Sequence, residues 1–327
     1  MKVERIKKAE KKKLAKLKSL VALKEYSFLF SQPDINKNAN KEYNFFELKN
    51  SDEILIAKKG KKIFGYATLR ALPWDTKHFG MKMANFKVKS LAFNYKKDKE
   101  IVSLLTKEAI KNSKIKHFSI KINPFQIEEI HALQDDDFYF VGCNVSYILN
   151  LNKFDAAGYT KFSSVNIRIF KKSDTAKVKK IALRAFGNRN SWLDRFHADP
   201  NLNKKKSDEL YAKWAVNCCR GKTSDIMIVA EKGKKVIGFT GAKTERDASR
   251  FLGKKLVRVV LNAVEKEYRN QGVYRQLTQH LLSILKAKNV DYVIIATQLT
   301  TKAVARVWMG LGAKMDFPKI IFHKFIG

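Results

Sequence analysis

A short basic turn, Arg269-Asn270-Gln271-Gly272, carries the most recognisable chemistry in this chain. Its glycine lets the backbone approach a ligand closely. The first amides of the helix that follows have no partners within that helix, and they point outward with the positive end of the helix dipole behind them. Because phosphate binds well at such a helix start, the turn predicts a pyrophosphate site.

Two regular elements must hold this turn. Residues 256–264 are rich in β-branched and aliphatic residues, which predicts a largely buried strand. After the turn, apolar residues recur at helical spacing and predict an amphipathic helix: Val273, Leu277, Leu281, Ile284 and Leu285. A second buried strand is predicted at residues 290–298, followed by a helix that Thr300 or Thr301 can cap and Gly312 can end.

These two strand and helix pairs resemble motifs A and B of the GNAT acetyltransferases, in the right order and spacing. Motif A, Arg/Gln-x-x-Gly-x-Gly/Ala, matches residues 269–274, but Tyr274 stands where the family prefers Gly or Ala. Motif B, Asn-x-x-Ala-x-x-x-Tyr-x-x-x-Gly-Phe/Ala, matches residues 301–313, with Trp308 in place of the tyrosine. The resemblance implies acetyl-CoA as acyl donor, held by Leu261, Ala263, Val264, Arg269, Asn270, Gln271, Gly272, Val273, Tyr274, Arg275 and Thr301.

An internal repeat indicates that the chain holds two such units. Residues 58–66, Lys-Lys-Gly-Lys-Lys-Ile-Phe-Gly-Tyr, return as residues 231–239, Glu-Lys-Gly-Lys-Lys-Val-Ile-Gly-Phe. We therefore expect an α/β, tandem GNAT-like (acyl-CoA N-acyltransferase) fold, with a degenerate first half at residues 1–160 and a complete second half at 161–327. Residues 87–95 contain no glycine where the first half would need its turn, so only the second half is expected to bind acetyl-CoA.

In the first half, strands are predicted at residues 44–48, 53–57 and 62–69, and residues 1–25 are predicted to form a basic helix or arm. The segment Pro73-Trp74-Asp75-Thr76-Lys77-His78-Phe79-Gly80 is predicted to be a loop. Trp74 could stack on a sugar or base, or could plug the core together with Phe79.

The same segment resembles a Pro-Trp-Asp-Ser-x-x-Phe-Gly stretch of bacterial amino-sugar acetyltransferases that act on dTDP-fucosamine. Residues 195–200 and 210–214 also resemble that subfamily. The resemblance implies an amino-sugar acceptor, nucleotide-linked, in surface-polysaccharide synthesis. The residues expected to bind it are Trp74, Asp75, His78, Tyr211 and Gln298.

Acetyl transfer of the kind that the resemblance implies requires a neutral amine, a polarised thioester carbonyl and a protonated leaving thiolate. A backbone amide near Asn262 is expected to polarise the carbonyl. His197 has a suitable pKa for a base, and Asp194 or Glu265 could relay a proton. Trp308 holds the position of the family's acid, but an indole does not release its proton, so a water or Tyr274 could serve instead.

The charge of the chain bears on which other functions are possible. The 327 residues carry 66 basic and 31 acidic side chains, a formal charge of +35, which attracts anions. Most of the excess is evenly spread lysine, so nucleic acid is not the expected partner. The alternatives left open are a basic RNA- or ribosome-binding module, an acetyltransferase for a protein amine, contact with an anionic membrane surface, and a homodimer.

The three cysteines, Cys143, Cys218 and Cys219, lack metal-ligand spacing, and no metal is expected. No apolar run is long enough to span a membrane or to form a signal-peptide core, so the cytoplasm is the expected compartment.

Overall fold

The structure is a computed structural model that describes residues 1–7, 29, 31, 35, 38–92, 94–111, 114–154, 165–187 and 194–327. The predicted α/β fold is confirmed. Within these ranges thirteen strands form one sheet, in the order β1-β2-β3-β4-β5-β13-β6-β11-β10-β9-β8-β7, with β12 paired to β6.

The first half supplies strands β1 Lys2–Lys7, β2 Glu53–Lys59, β3 Lys62–Ala71, β4 Met83–Ser90, β5 His117–Ile122 and β6 Tyr139–Asn150. Its helices are α1 Ala39–Lys49, α2 Pro73–Phe79, α3 Tyr95–Ile110 and α4 Ile127–Asp135.

The second half supplies strands β7 Asn166–Ile169, β8 Ile226–Lys232, β9 Lys235–Thr244, β10 Leu256–Val264, β11 Tyr292–Gln298, β12 Lys314–Met315 and β13 Lys319–Phe325. Its helices are α5 Thr175–Phe186, α6 Lys204–Cys219, α7 Arg246–Leu252, α8 Val273–Ala287 and α9 Lys302–Gly310.

The repeated hairpin is present in both halves. β2–β3 and β8–β9 each join a seven-residue to a ten-residue strand. Gly60 and Gly233 turn them with the same φ of 59°, a left-handed conformation that suits glycine. The two halves therefore share their central architecture.

Three local predictions of the first half are wrong. Residues 44–48 belong to helix α1, where Tyr43, Asn44 and Leu48 are buried at helical rather than alternating spacing. Residues 73–79 form helix α2 instead of a loop, begun by a proline at a first-turn position and ended by left-handed Gly80. Residues 2–7 form strand β1 on β2, while the rest of the predicted basic arm lies outside the described residues.

The last strands of the two halves are exchanged. Strand β6, from the first half, pairs with β11 of the second half, and β13, from the end of the chain, pairs with β5 of the first half. β13 also pairs with β6, so the two exchanged strands lie side by side at the centre of the sheet. The predicted division at residues 160 and 161 falls in a segment outside the described residues, and it stays a prediction.

In each half two neighbouring parallel strands separate. β10 and β11 pair only from Leu256–Val259 to Tyr292–Ile295, and the pairing of β10 with β9 shifts register between Val259 and Leu261. β4 and β5 pair only over three residues, Met83 to Asn85 with His117 to Ser119. Beyond these points each pair opens a cleft within the sheet. None of the helices in the described part of the chain is long and apolar enough to cross a bilayer.

Candidate active site

The turn after β10 has the geometry that the sequence predicts. A single 3₁₀ turn, Lys266–Tyr268, leads to Asn270 with φ 61° and Gly272 with φ 77°, and helix α8 begins at Val273. The Arg269 Nε atom donates a hydrogen bond to the Val264 carbonyl at 3.0 Å, which fastens the turn to the end of the strand. The amides of the first turn of α8 are thus presented at the mouth of the cleft between β10 and β11.

One large cavity, of about 1090 Å³, joins this turn to the first half of the chain. The cleft between β10 and β11 forms its middle. At one end lie Arg269, Gly272 and Arg275, and at the other end lie Trp74 and Asp75. A volume of this size exceeds the common range for one small ligand, so two substrates can occupy it together.

The cleft exposes backbone amides of β10. The Glu265 amide donates to Ile237 O on the β9 side of the strand. Because successive residues of an antiparallel strand face opposite sides, the amides of Asn262 and Val264 face the cleft, where β11 no longer pairs with β10. An amide in that position can donate to a carbonyl oxygen bound in the cavity.

Tyr274 and Trp308 form one unit. The Trp308 Nε1 atom donates to the Tyr274 hydroxyl at 2.9 Å. Tyr274 lines the cavity, whereas Trp308 is 1% exposed and does not. Burial raises the pKa of Tyr274 to about 12, against a smaller lowering by the Trp308 N–H. The phenol therefore keeps its proton at neutral pH.

Asp194 and His197 belong to a chain of hydrogen bonds that runs from the cavity to helix α6. Asp194 lines the cavity, and its Oδ2 lies 2.5 Å from His197 Nδ1. His197 Nε2 lies 3.1 Å from Asp208 Oδ1 on helix α6. Burial lowers the pKa of His197, but hydrogen bonds to the two carboxylates outweigh it, so the pKa is raised overall. With both nitrogens engaged, the ring can pass a proton between the carboxylates rather than meet a substrate directly.

The acceptor end combines an exposed aromatic ring with buried charge. Trp74 is 39% exposed, and one face of its indole stacks on His78 with centroids 5.5 Å apart. Asp75 is buried, which raises its pKa against the lowering effect of Arg195, whose Nη2 lies 3.7 Å from Asp75 Oδ2. A ring and a carboxylate together suit an acceptor that carries both a flat apolar face and an amine or hydroxyls.

The cavity brings most of the predicted site residues together: Trp74, Asp75, Asp194, Tyr211, Leu261, Asn262, Ala263, Val264, Arg269, Asn270, Gly272, Val273, Tyr274, Arg275, Gln298 and Thr301 all line it. Four others do not. His197 and Trp308 lie behind the wall as described. The side chain of Gln271 donates to Glu267 O on the outer side of the turn, and His78 supports Trp74 while its Nε2 contacts Lys206 O at 2.6 Å.

The corresponding turn of the first half is closed by carboxylates. Asp98, in the first turn of α3, accepts hydrogen bonds from the Ser90 hydroxyl and the Asn94 amide. Glu129 accepts from the Ser90 amide at 3.4 Å and pairs with Lys89 at 2.7 Å. Two carboxylates therefore already hold the Ser90 and Asn94 amides at this turn, which agrees with the expectation that this half lacks an acetyl-CoA site.

One buried polar cluster was not predicted from the sequence. His117, Asp199 and His323 are fully buried, and both rings contact the same carboxylate oxygen, Asp199 Oδ2, at 2.9 and 2.6 Å. The three could in principle ligate a metal. However, Asp199 Oδ1 also accepts from the Tyr139 hydroxyl and the Asn201 amide, so hydrogen bonds already account for the carboxylate. His117, Asp199 and His323 are far apart in the sequence, so their spacing did not indicate that they meet.

Comparison with known proteins relates part of this chain to one family. Residues 189–313 match the family model described as the acetyltransferase (GNAT) family. The mouse protein N-acetyltransferase 8F1 is 27% identical over 86 residues, which are 26% of this chain and 38% of the relative. The chain thus spans well under half the length of this relative.

Two solved structures resemble the whole chain. A GCN5-related N-acetyltransferase from Sphaerobacter thermophilus has a TM-score of 0.60 at 11% identity, with 99% of this chain and 95% of that one covered. A tandem GNAT protein from the clavulanic acid biosynthesis pathway has a TM-score of 0.53 at 11% identity, with 100% and 99% covered. The expected tandem GNAT-like fold is therefore confirmed, and the match to the acetyltransferase (GNAT) family model lies within the second half.

Proposed function

We propose that the protein transfers an acetyl group from acetyl-CoA to the amine of an amino sugar, nucleotide-linked, in surface-polysaccharide synthesis. The observation that carries the proposal is the single cavity that connects the Gly272 turn with Trp74 and Asp75. Direct transfer requires a donor site and an acceptor site that share one cavity.

On the donor side, the amides at the start of α8 bind the pyrophosphate, and the cleft between β10 and β11 admits the rest of the donor. The thioester carbonyl accepts a hydrogen bond from the Asn262 amide. That bond strengthens as negative charge develops on the oxygen, which lowers the barrier to attack by the amine.

When the tetrahedral intermediate collapses, the leaving thiolate takes a proton from the Tyr274 hydroxyl. The Trp308 N–H, 2.9 Å from that oxygen, then stabilises the phenolate that forms. In this proposal Trp308 is a positioning residue, and Tyr274 supplies the acid that the family's motif B would supply from position 308.

On the acceptor side, Asp194 accepts the proton of the attacking amine. His197 passes it from Asp194 to Asp208, whose side chain is 23% exposed and can exchange the proton with solvent. The Trp74 ring stacks on the apolar face of the sugar, and Asp75 with Gln298 hydrogen-bonds its polar groups.

Incubation of the protein with labelled acetyl-CoA and a panel of nucleotide-linked amino sugars tests this proposal. The expected product is an acetylated sugar amine. Parallel reactions with a lysine peptide and with RNA serve as comparison. Labelled peptide or RNA without labelled sugar would contradict the acceptor assignment, and no transfer to any amine would contradict the reaction.

A further inference from the structure

A second groove, of about 390 Å³, lies where β4 and β5 separate in the first half. We call it the β4–β5 groove. It occupies the position in the first half that the acetyl-CoA cleft occupies in the second. Lys87 and Lys89 of β4 and Lys121 of β5 line it, so this cleft is more polar than the cleft of the second half.

The lining of the groove has an excess of positive charge. It contains two acidic side chains, Glu47 and Asp316, and six basic ones: Arg70, Lys87, Lys89, Lys121, Arg258 and Lys319. Ion pairs neutralise part of this charge, at 3.7 Å between Arg70 and Glu47, 2.7 Å between Lys89 and Glu129, and 2.7 Å between Arg258 and Glu245. Within the lining itself basic groups outnumber acidic ones, so the groove favours an anionic ligand.

A buried amide in the same lining lacks a partner. Asn123 is 4% exposed and its Oδ1 accepts from the Phe125 amide, but its Nδ2 has no hydrogen-bond partner among the described residues. A buried donor without a partner is energetically unfavourable. A ligand oxygen in the groove would satisfy it, and an amide donor beside several lysines is a suitable arrangement for phosphate oxygens.

The groove adjoins the main cavity. Lys121, Asn144 and Ala296 line both spaces. We propose that the β4–β5 groove binds the phosphate groups of a phosphate-linked acceptor, whose amine-bearing part passes Lys121 and Asn144 into the main cavity. This inference rests on the proposed function and assigns the recognition of the acceptor's phosphates to the degenerate half. A second acetyl-CoA is disfavoured there because Asp98 and Glu129 occupy the turn of that half.

Calorimetric titration of thymidine diphosphate into protein saturated with coenzyme A tests the proposal, because coenzyme A blocks the Gly272 turn. The wild type should bind one thymidine diphosphate per chain. Lys87→Glu should weaken that binding at least tenfold, and Lys87→Gln by a smaller factor. Lys61→Glu is the matched control, since it reverses the same charge in the exposed turn between β2 and β3, and it should bind as the wild type does.

Three outcomes would overturn the inference: no binding of thymidine diphosphate to the saturated wild type, equal binding by folded Lys87→Glu, or two coenzyme A molecules bound per chain. The acetylation assay is independent of these. Binding that depends on Lys87 without acetylation of any sugar would refute the proposed function alone, and acetylation of a sugar with no effect of Lys87→Glu on KM would refute the groove alone.

Discussion

Two positions that depart from the motifs of the family are explained by one contact. The indole at position 308 and the phenol at position 274 lie within hydrogen-bond distance, and the phenol is the one that reaches the cavity. Tyr274 stands close to the start of α8, where motif A prefers a small residue. In the proposed function its hydroxyl supplies the proton that motif B would supply from position 308.

Tyr274→Phe should therefore reduce kcat by about 10²-fold, in line with the loss of a general acid, with little change in the Kd for acetyl-CoA. Steady-state kinetics with the acceptor that the enzyme acetylates measures kcat, and calorimetry measures the Kd for acetyl-CoA. Tyr95→Phe removes an exposed phenol of the first half and should leave kcat unchanged. An unchanged kcat for Tyr274→Phe would assign the protonation step to another group.

At the residue scale, the sequence predicted the groups that lie close together along the chain. The turn at residues 269–275 and the strand before it were predicted because phosphate binding requires contiguous amides. His117, Asp199 and His323 could not be found in this way, since they are joined only by the packing of β5 and β13 against the segment before α6. The contact between His197 and Asp208 could not be predicted either, because it also depends on how separate segments pack.

At the scale of elements, apolar periodicity located β10, α8, β11 and α9 within a few residues. It failed at residues 44–48, where a short aromatic run reads equally well as strand or helix. The helix is stabilised by a contact between distant segments, because Tyr43 and Phe46 of α1 pack on Phe251 of α7. The sequence alone does not show this contact. The exchange of β6 and β13 was also not predicted, since strand order depends on pairing between distant segments.

The exchange makes the stability of the first half depend on the last residues of the chain. Phe322 is 2% exposed and belongs to the core cluster of the first half, so Phe322→Ala should lower the free energy of unfolding by about 3–5 kcal/mol. Phe325→Ala, in the same strand but 37% exposed, is the control and should cost far less. Chemical denaturation measures both. Equal costs would mean that β13 is not an integral strand of the first half.

The buried His323 should make stability depend on pH. Burial lowers the pKa of His323 to about 3, below the value of about 6.5 for an unfolded histidine. Burial alone would raise the pKa of Asp199, but hydrogen bonds from His117 and His323 outweigh it and hold that pKa well below its usual range. Both groups bind fewer protons in the folded state, so stability is present at neutral pH and is lost as the pH falls below about 6.5.

His323→Gln should remove the larger part of this dependence between pH 7 and pH 5, on the order of 2 kcal/mol for one histidine. Thermal melts of wild type and variant at several pH values give the slopes. His131→Gln, at an exposed histidine of α4, should keep the slope of the wild type. If His323→Gln kept it as well, the His117, Asp199 and His323 cluster would not be the source of the acid sensitivity.

At the scale of the whole molecule, the internal repeat predicted two related units, and the absence of glycine at residues 87–95 predicted that they are not equivalent. The structure adds a physical reason, because Asp98 and Glu129 already accept hydrogen bonds from the Asn94 and Ser90 amides in the first half. The cavity that runs from one half into the other could not be predicted, since its walls come from strands that the two halves exchange and share.

We expect the Gly272 turn to bind acetyl-CoA. Calorimetric titration of acetyl-CoA into Gly272→Glu, beside Gly233→Glu as the control, tests this expectation. Both glycines have a left-handed φ, 77° and 59°, so both substitutions should cost about 1–2 kcal/mol of stability. Only Gly272→Glu places a side chain and a negative charge against the pyrophosphate. We expect the wild type and Gly233→Glu to bind one acetyl-CoA per chain, and Gly272→Glu to show no measurable binding. Normal binding of acetyl-CoA by folded Gly272→Glu would contradict it.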